Sequence, residues 1–194
     1  MPAEEARPRS CVRCGQPAYE ASRVWIQVHG QVPRQQRGPV EPGQAPLTWQ
    51  VACPRYRCRR CGAVMTVLPG SAVARKHFSA AAMALALALW GLCGWSAAQV
   101  RSAVSDMAGP AGTGRGGWRT LSRWARQLAQ GAVLTQLGAP GRGPPSQLAA
   151  WAAQALGGRC PLEFRRQGLA HQAFAGACHV SGTSRQPQRL LPSV

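Results

Sequence analysis

The sequence is poor in acidic residues. Its 194 residues include 6 Asp and Glu against 23 Lys and Arg, which gives a formal net charge of +17. After residue 41 the acids are Asp106 and Glu163. Catalytic sites that hold two Mg²⁺ ions or pair two carboxylates need several well-placed acidic side chains. The sequence therefore argues against carboxylate-driven catalysis, and we predict a protein that is not an enzyme and takes no small-molecule substrate.

The excess of positive charge predicts a polyanionic partner. A surface with this charge repels itself unless it meets negative charge, and nucleic acid is the most common such partner. A second explanation is open at this stage, because 22 of the 23 basic residues are arginine and the chain is rich in Ala, Gly and Pro, as GC-rich coding sequences are. The positions of the basic residues are needed to decide between a nucleic-acid partner and a GC-rich coding sequence.

An apolar signal peptide is also missing from the start of the sequence. Residues 1–10, MPAEEARPRS, are polar and include two acids. Export to a compartment that forms disulfides is therefore not indicated. We expect a cytoplasmic protein whose eight cysteines are reduced and free to bind metal.

Four of the cysteines form two CxxCG motifs. They are residues 11–15 (CVRCG) and residues 58–62 (CRRCG), and 43 residues lie between Cys14 and Cys58. In each motif a tight turn aims two sulfur atoms at one ion, and the glycine permits the positive φ of the turn. Two such motifs complete a tetrahedral site, so the predicted Zn²⁺ ligands are Cys11, Cys14, Cys58 and Cys61. Cys53 in place of Cys58 is one alternative, and His29 is a spare ligand.

The segment between the motifs predicts the strands of a zinc ribbon. Residues 24–29 and 47–52 alternate between two faces, with Val24, Ile26 and Val28 on one face of the first, and both are typical of half-buried strands. Residues 63–68 are a third strand candidate. Residues 31–46, which are rich in Pro, Gly and Gln, predict a long loop.

Residues 78–98 form a run of 21 residues without a charge. A membrane span is one explanation, but most of the run is alanine and four leucines leave insertion marginal. We prefer two helices, at about residues 80–92 and 97–104, capped by Ser79 and Ser96, with Gly94 ending the first. Their turn has the form of a helix-turn-helix unit.

After a glycine-rich loop at residues 108–117, residues 118–130 predict an amphipathic helix. One face carries Trp118, Leu121, Trp124, Ala125 and Leu128. The opposite face carries Arg119, Arg123, Arg126 and Gln130. A helix that packs through tryptophans and presents a row of guanidinium groups suits the DNA major groove. A basic face that contacts only water is the alternative.

The C-terminal third gives fewer signals. Residues 138–145 read as a Pro/Gly linker, Ser146 as the cap of a helix through about Leu156, and residues 169–180 as a short helix. Residues 181–194 read as a disordered tail. A second metal site is an alternative whose spacings match no compact motif, and its members would be Cys160, His171, Cys178 and His179.

The order of these motifs resembles the N-terminal part of insertion-sequence transposases and the stand-alone zinc-ribbon plus helix-turn-helix proteins of mobile elements. The resemblance covers about residues 11–130 and includes residues 56–62 (YRCRRCG), residues 66–70 (TVLPG) and residues 75–79 (RKHFS) before the helical run. It implies that the ribbon and helices grip DNA. The acidic catalytic triad of transposases has no counterpart here, so strand transfer is not implied.

Together these observations predict an α+β protein with a zinc-ribbon domain at residues 1–70, a helical helix-turn-helix domain at 71–137, and a linker, one packed helix and a partly disordered tail at 138–194. We predict a non-catalytic, zinc-dependent protein that binds double-stranded DNA. It is either related to transposases or a truncated transposase, and a homodimer is one possible form. The alternative is a zinc-ribbon interaction module that binds a protein partner or RNA. The predicted DNA contacts are Arg55, Arg57, Arg59, Arg60, Arg75, Lys76, Arg119, Arg123 and Arg126.

Overall fold

A computed structural model describes residues 6–106, 118–138 and 140–182. Within these ranges the chain forms two compact units, one of residues 6–35 and 50–69 and one of residues 36–49 and 70–182. Strands and helices confirm the predicted α+β class. Residues 36–49 and 140–182 both belong to the unit that contains the helices. The two C-terminal helices bury their apolar faces in the same core as the first helix.

The strands are β1 (Tyr19–Glu20), β2 (Arg23–Val24), β3 (Ile26–Gly38), β4 (Leu47–Cys58) and β5 (Val64–Thr66). β1 and β2 form a short antiparallel pair, and the second sheet has the order β3-β4-β5. β4 and β5 are antiparallel, with Tyr56 opposite Met65. Tyr56, Met65 and Ile26 form a small core together with Cys11 and Cys58.

Two sequence-based predictions about the segment that forms β3 are wrong. Residues 31–38 continue β3 instead of forming a loop, which leaves residues 39–46 as the connection. β3 is an edge strand, and an edge position tolerates the exposed Pro33 that suggested a loop. Ile26 is buried, but Val28 on the predicted inner face is 46% exposed, because the small core covers only the start of the strand.

The helices are α1 (Ala80–Gly91), α2 (Ala97–Val104), α3 (Thr120–Ala129), α4 (Pro145–Gly157) and α5 (Leu169–Val180), with single 3₁₀ turns at Thr135–Leu137 and Leu162–Phe164. The predicted serine caps of α1 and α2 are confirmed. The hydroxyl of Ser79 accepts a hydrogen bond from the Ala82 amide at 3.1 Å. Ser96 forms a capping box with Gln99. Gly94 adopts a positive φ of 70° in the turn between the helices.

The predicted cap of α4 is wrong. Ser146 lies inside the helix, which begins one residue earlier at Pro145 and has no side-chain cap. Proline suits the first helical position because its φ is already helical and its missing N–H would have no partner there.

α1 is buried on nearly all sides and explains the uncharged run. It packs against α2, α4 and α5 in a core rich in alanine and leucine. Its 12 residues rise about 18 Å, short of the roughly 30 Å hydrocarbon layer. In the described part of the chain, no helix has both the length and the hydropathy that crossing a membrane requires.

Glycines let the helix backbones approach closely. A Cβ atom on Gly91 would lie 2.5 Å from the backbone nitrogen of Ala150 in α4. A Cβ atom on Gly176 in α5 would lie 1.8 Å from the carbonyl oxygen of Leu156. Real Cβ atoms do not approach backbone atoms this closely, so these contacts require glycine.

The capping box of α2 gives a testable prediction. We expect Ser96→Ala to lower the free energy of unfolding by about 1 kcal/mol, because the Gln99 amide loses the Ser96 hydroxyl as its acceptor and the Gln99 side chain loses the hydrogen bond that this hydroxyl donates. Urea unfolding followed by circular dichroism measures the change.

Ser102→Ala on the same helix is the matched control. The Ser102 hydroxyl bonds back to the Ala98 carbonyl, a contact that contributes little to helix stability. Equal losses for Ser96→Ala and Ser102→Ala would contradict the assignment of the cap.

Candidate functional site

The first CxxCG motif forms a tight turn closed by backbone hydrogen bonds. The Gly15 amide donates to the Cys11 carbonyl at 2.9 Å, and the Cys11 amide donates to the Gln16 carbonyl at 2.9 Å. Gly15 has a φ of 71°, which glycine adopts without strain. The turn places Cys11 and Cys14 on the same side.

The second motif repeats this geometry at the junction of β4 and β5. The Gly62 amide donates to the Cys58 carbonyl at 2.9 Å, the Cys58 amide donates to the Ala63 carbonyl at 2.9 Å, and Gly62 has a φ of 72°. The same sequence pattern therefore produces the same turn twice. Each turn supplies a pair of thiols.

The four sulfur atoms come together at one point. All lie within 4.8 Å of one another. The Cys11 and Cys61 sulfurs are 3.6 Å apart, and those of Cys14 and Cys58 are 3.8 Å apart. Sulfurs at about 2.3 Å from a central ion in a tetrahedron lie about 3.8 Å from each other, whereas a disulfide has about 2.05 Å. These four cysteines are spaced to hold a metal ion.

The alternative ligands lie outside this cluster. Cys53 is fully buried in β4, and its thiol donates to the Val51 carbonyl at 3.9 Å. His29 is exposed on β3. The C-terminal set of Cys160, His171, Cys178 and His179 does not form a metal-binding group in the part of the chain that the structure describes.

The thiols differ in their preference for a proton. Backbone N–H groups, first that of Cys14 and then that of Arg13, lower the pKa of Cys11 to about 6. The Gln16 N–H lowers the pKa of Cys14, but burial and the sulfurs of the other three cysteines outweigh it and raise that pKa to about 11. Four thiolates repel one another at this spacing, and a bound cation is the charge that stabilises them together.

A polar network joins the two motifs, and sequence reasoning missed it. Arg60 donates to the Gln16 side chain at 2.9 Å, and Gln16, which is 4% exposed, donates to Glu20 at 3.1 Å. The Trp25 indole N–H donates to the same Glu20 oxygen at 2.9 Å, while the Arg59 amide donates to the Trp25 carbonyl at 2.8 Å. Arg60, a predicted DNA contact, thus links one motif to the other.

The other basic residues near the second motif point away from the small core. Arg55 and Arg57 flank the buried Tyr56 on β4, and alternation along a strand places both on the opposite face. Arg57 is exposed and Arg55 is half-buried. Arg59, in the turn, is exposed as well. We call Arg55, Arg57 and Arg59 the ribbon basic surface.

α3 has the predicted amphipathic character. Its buried side chains are Leu121, Trp124, Ala125 and Leu128. Arg119, Arg123 and Arg126 are exposed on the opposite side, and we call them the α3 basic surface. Arg123 donates to the Thr120 hydroxyl at 3.4 Å, and Arg126 donates to the Ser122 carbonyl at 3.2 Å. The charges on this helix are therefore concentrated on one face.

Residues before α1 add to the positive charge of this unit. Burial lowers the pKa of Lys76, and the charge of Arg123 lowers it further. Arg75 is exposed, with a φ of 58°. By contrast α2, which follows the predicted helix-turn-helix turn, carries a single basic residue, Arg101. The candidate contact helix is α3.

Comparison of the chain with protein-family models, with curated proteins and with solved structures finds no match. The resemblance to the N-terminal part of transposases therefore stays a prediction from the motifs. The fold and the site define the class: an α+β protein with four clustered cysteines that could hold a metal ion beside a small sheet, and a helical unit with a basic face.

Proposed function

We propose that the four cysteines bind Zn²⁺ as a structural ion. The observation that carries this proposal is the spacing of the four sulfurs, which fits a closed tetrahedral site without an open position for a substrate. Tetrahedral sites with four thiolates hold zinc or iron. Two CxxCG turns, one joining β4 to β5 and one between the bridged residues Ser10 and Pro17, are typical of zinc ribbons, and this favours zinc.

We further propose that the protein binds double-stranded DNA without catalysis. The net charge of +17 supplies the electrostatic attraction, and the two basic surfaces supply the phosphate contacts. From Arg119 to Arg126, α3 rises about 10 Å, which matches about three base pairs along the groove. The Arg side chains on this face are long enough to contact phosphates and the edges of bases.

The roles of the two units follow from this placement. Zinc folds the ribbon and holds Arg57 and Arg59 in a fixed geometry beside Cys58. The tryptophans of the helical unit fix α3 from its buried side. The motif order supports a relation to transposases, and the shortage of acids after residue 41 supports a role limited to binding.

A salt titration of DNA binding tests this function. If the three arginines of each basic surface neutralise phosphates, we expect log K to fall with log salt concentration with a slope of about −5. Arg123→Ala/Arg126→Ala should weaken binding about 10-fold or more and make the slope less negative by about 2. Fluorescence anisotropy with labelled duplexes measures both quantities.

Arg142→Ala/Arg166→Ala is the matched control, because it removes the same charge from exposed positions outside both basic surfaces. Equal effects of the two double variants would show that only net charge attracts DNA and would remove the role of α3. A flat salt dependence, or tighter binding to RNA of equal length, would support the interaction module instead.

A further inference from the structure

A groove opens beside the α3 basic surface. It lies between the end of α1, the start of α2 and the segment from Trp118 to Arg126, which includes most of α3, and has a volume of about 300 Å³. This is near the lower end of the roughly 300–1,000 Å³ typical of small-molecule sites. The groove is therefore large enough for one small ligand.

The lining of the groove combines flat aromatic rings with cations. Its lining residues include two tryptophans, Trp90 and Trp118, and two arginines of the α3 basic surface, Arg119 and Arg126. Ser122 adds a hydroxyl, and the buried Leu121 adds apolar surface. A ligand that fits this lining has a flat ring and a negative charge.

Trp118 is held in place by other aromatic side chains. Its ring lies edge-on to Phe78 at 5.9 Å and to Trp124 at 5.6 Å, and those two rings are 5.1 Å apart. Such a cluster fixes the orientation of the indole before any ligand arrives. A fixed ring is a good stacking surface, because little side-chain entropy is lost on binding.

The charge of the groove selects an anion. Two of its lining residues are arginines, and neither Asp106 nor Glu163, the acids after residue 41, lines it. Arg126 is oriented by its bond to the Ser122 carbonyl at 3.2 Å. A phosphate beside a stacked ring is the arrangement that a nucleotide offers.

We propose that this groove captures one unpaired nucleobase of the bound DNA, with the base against the tryptophans and the adjoining phosphate at Arg119 and Arg126. This inference rests on the proposed DNA binding. It predicts that the protein prefers DNA in which one strand carries an unstacked base. The α3 basic surface positions the duplex, and the groove at its edge receives the base. Extrusion of an already unpaired base costs little, which makes such sites the favoured targets.

The test compares two duplexes that differ by one unpaired adenine in the middle of one strand. We expect the full-length protein to bind the bulged duplex about 10-fold more tightly, which is the gain in affinity expected when one base stacks on an aromatic ring. Ser122→Phe fills the groove and should abolish this preference, so that the paired and bulged duplexes bind with similar affinity. Ser102→Phe, an exposed position on α2 outside the groove, should keep the preference.

A crosslink gives a second measurement that does not depend on a folded variant. Iododeoxyuridine placed at the bulge should crosslink on irradiation to Trp90 or Trp118 of the unaltered protein, located by mass spectrometry. Crosslinks confined to other residues would overturn the proposal. So would a bulge preference that survives in Ser122→Phe.

The outcomes separate the groove from the proposed function. Equal affinity for the paired and bulged duplexes leaves DNA binding intact and overturns the groove. Failure to bind either duplex overturns both. A preference for the bulge that Ser122→Phe abolishes, together with a crosslink to one of the two tryptophans, supports the groove.

Discussion

Cys58→Ser is expected to abolish metal binding and unfold the small sheet, whereas the helical unit keeps its circular dichroism signal. The sheet has a core of few large side chains, Ile26, Tyr56 and Met65, which is small for independent stability. Structural zinc supplies about 10–16 kcal/mol at pH 7 in comparable small domains, and that free energy is part of folding. Loss of one thiolate removes most of it.

Elemental analysis of reductively purified protein and amide NMR spectra measure this result. We expect one zinc ion per chain in the unaltered protein and in Cys53→Ala, since Cys53 lies outside the sulfur cluster. Cys93→Ser, at an exposed position, is the neutral control. Less than half a zinc ion per chain, or loss of the ion in Cys53→Ala, would contradict the assigned ligands. Iron in place of zinc would contradict the proposed metal.

Gly176→Ala is expected to destabilise the helical unit by about 2 kcal/mol or more. Helix propensity alone predicts the opposite sign, because alanine is favoured over glycine by about 1 kcal/mol in a helix. The added methyl group would meet the Leu156 carbonyl oxygen at 1.8 Å, and that atom belongs to the backbone of α4. The two helices must move apart to accept it, which loses packing across the core.

Gly158→Ala makes the same chemical change at the C-cap of α4, two residues beyond Leu156. Its φ is −64°, and a Cβ atom there would lie at an ordinary 3.6 Å from the Gln154 carbonyl oxygen. We expect its midpoint of thermal unfolding to stay within a few degrees of the unaltered protein, against a fall of about 4–8 °C for Gly176→Ala. Similar midpoints for the two variants would show that α4 and α5 are less closely packed than the structure indicates.

The four-cysteine cluster could be predicted from the sequence almost residue by residue. A CxxCG motif forms its turn through bonds between neighbouring residues, as the matching φ angles of Gly15 and Gly62 show. The caps of α1 and α2 were predictable for the same reason, because Ser79 and Ser96 bond to amides three residues away. Hydrogen bonds between residues that are close along the chain can therefore be predicted from the sequence.

Strand lengths and burial were less predictable. Pro33 and the glutamines near it indicated a loop, yet β3 continues to Gly38, because an edge strand accepts residues that a central strand rejects. The same applies to Val28, whose exposure depends on how far the core extends rather than on its own alternation. Whether a strand lies at the edge of a sheet, and how much of it the core covers, depends on the tertiary structure.

The sequence by itself determined the two CxxCG turns, the caps of two helices and the amphipathic character of α3, since each depends on residues within a few positions of one another. Only the tertiary structure decided that Arg60 joins Gln16 across 44 positions of sequence and that Gly176 is a contact point for α4. It also decided that Trp90 and Arg126 share one groove. These pairs meet because separate elements pack together, and spacing along the chain does not record which elements do so.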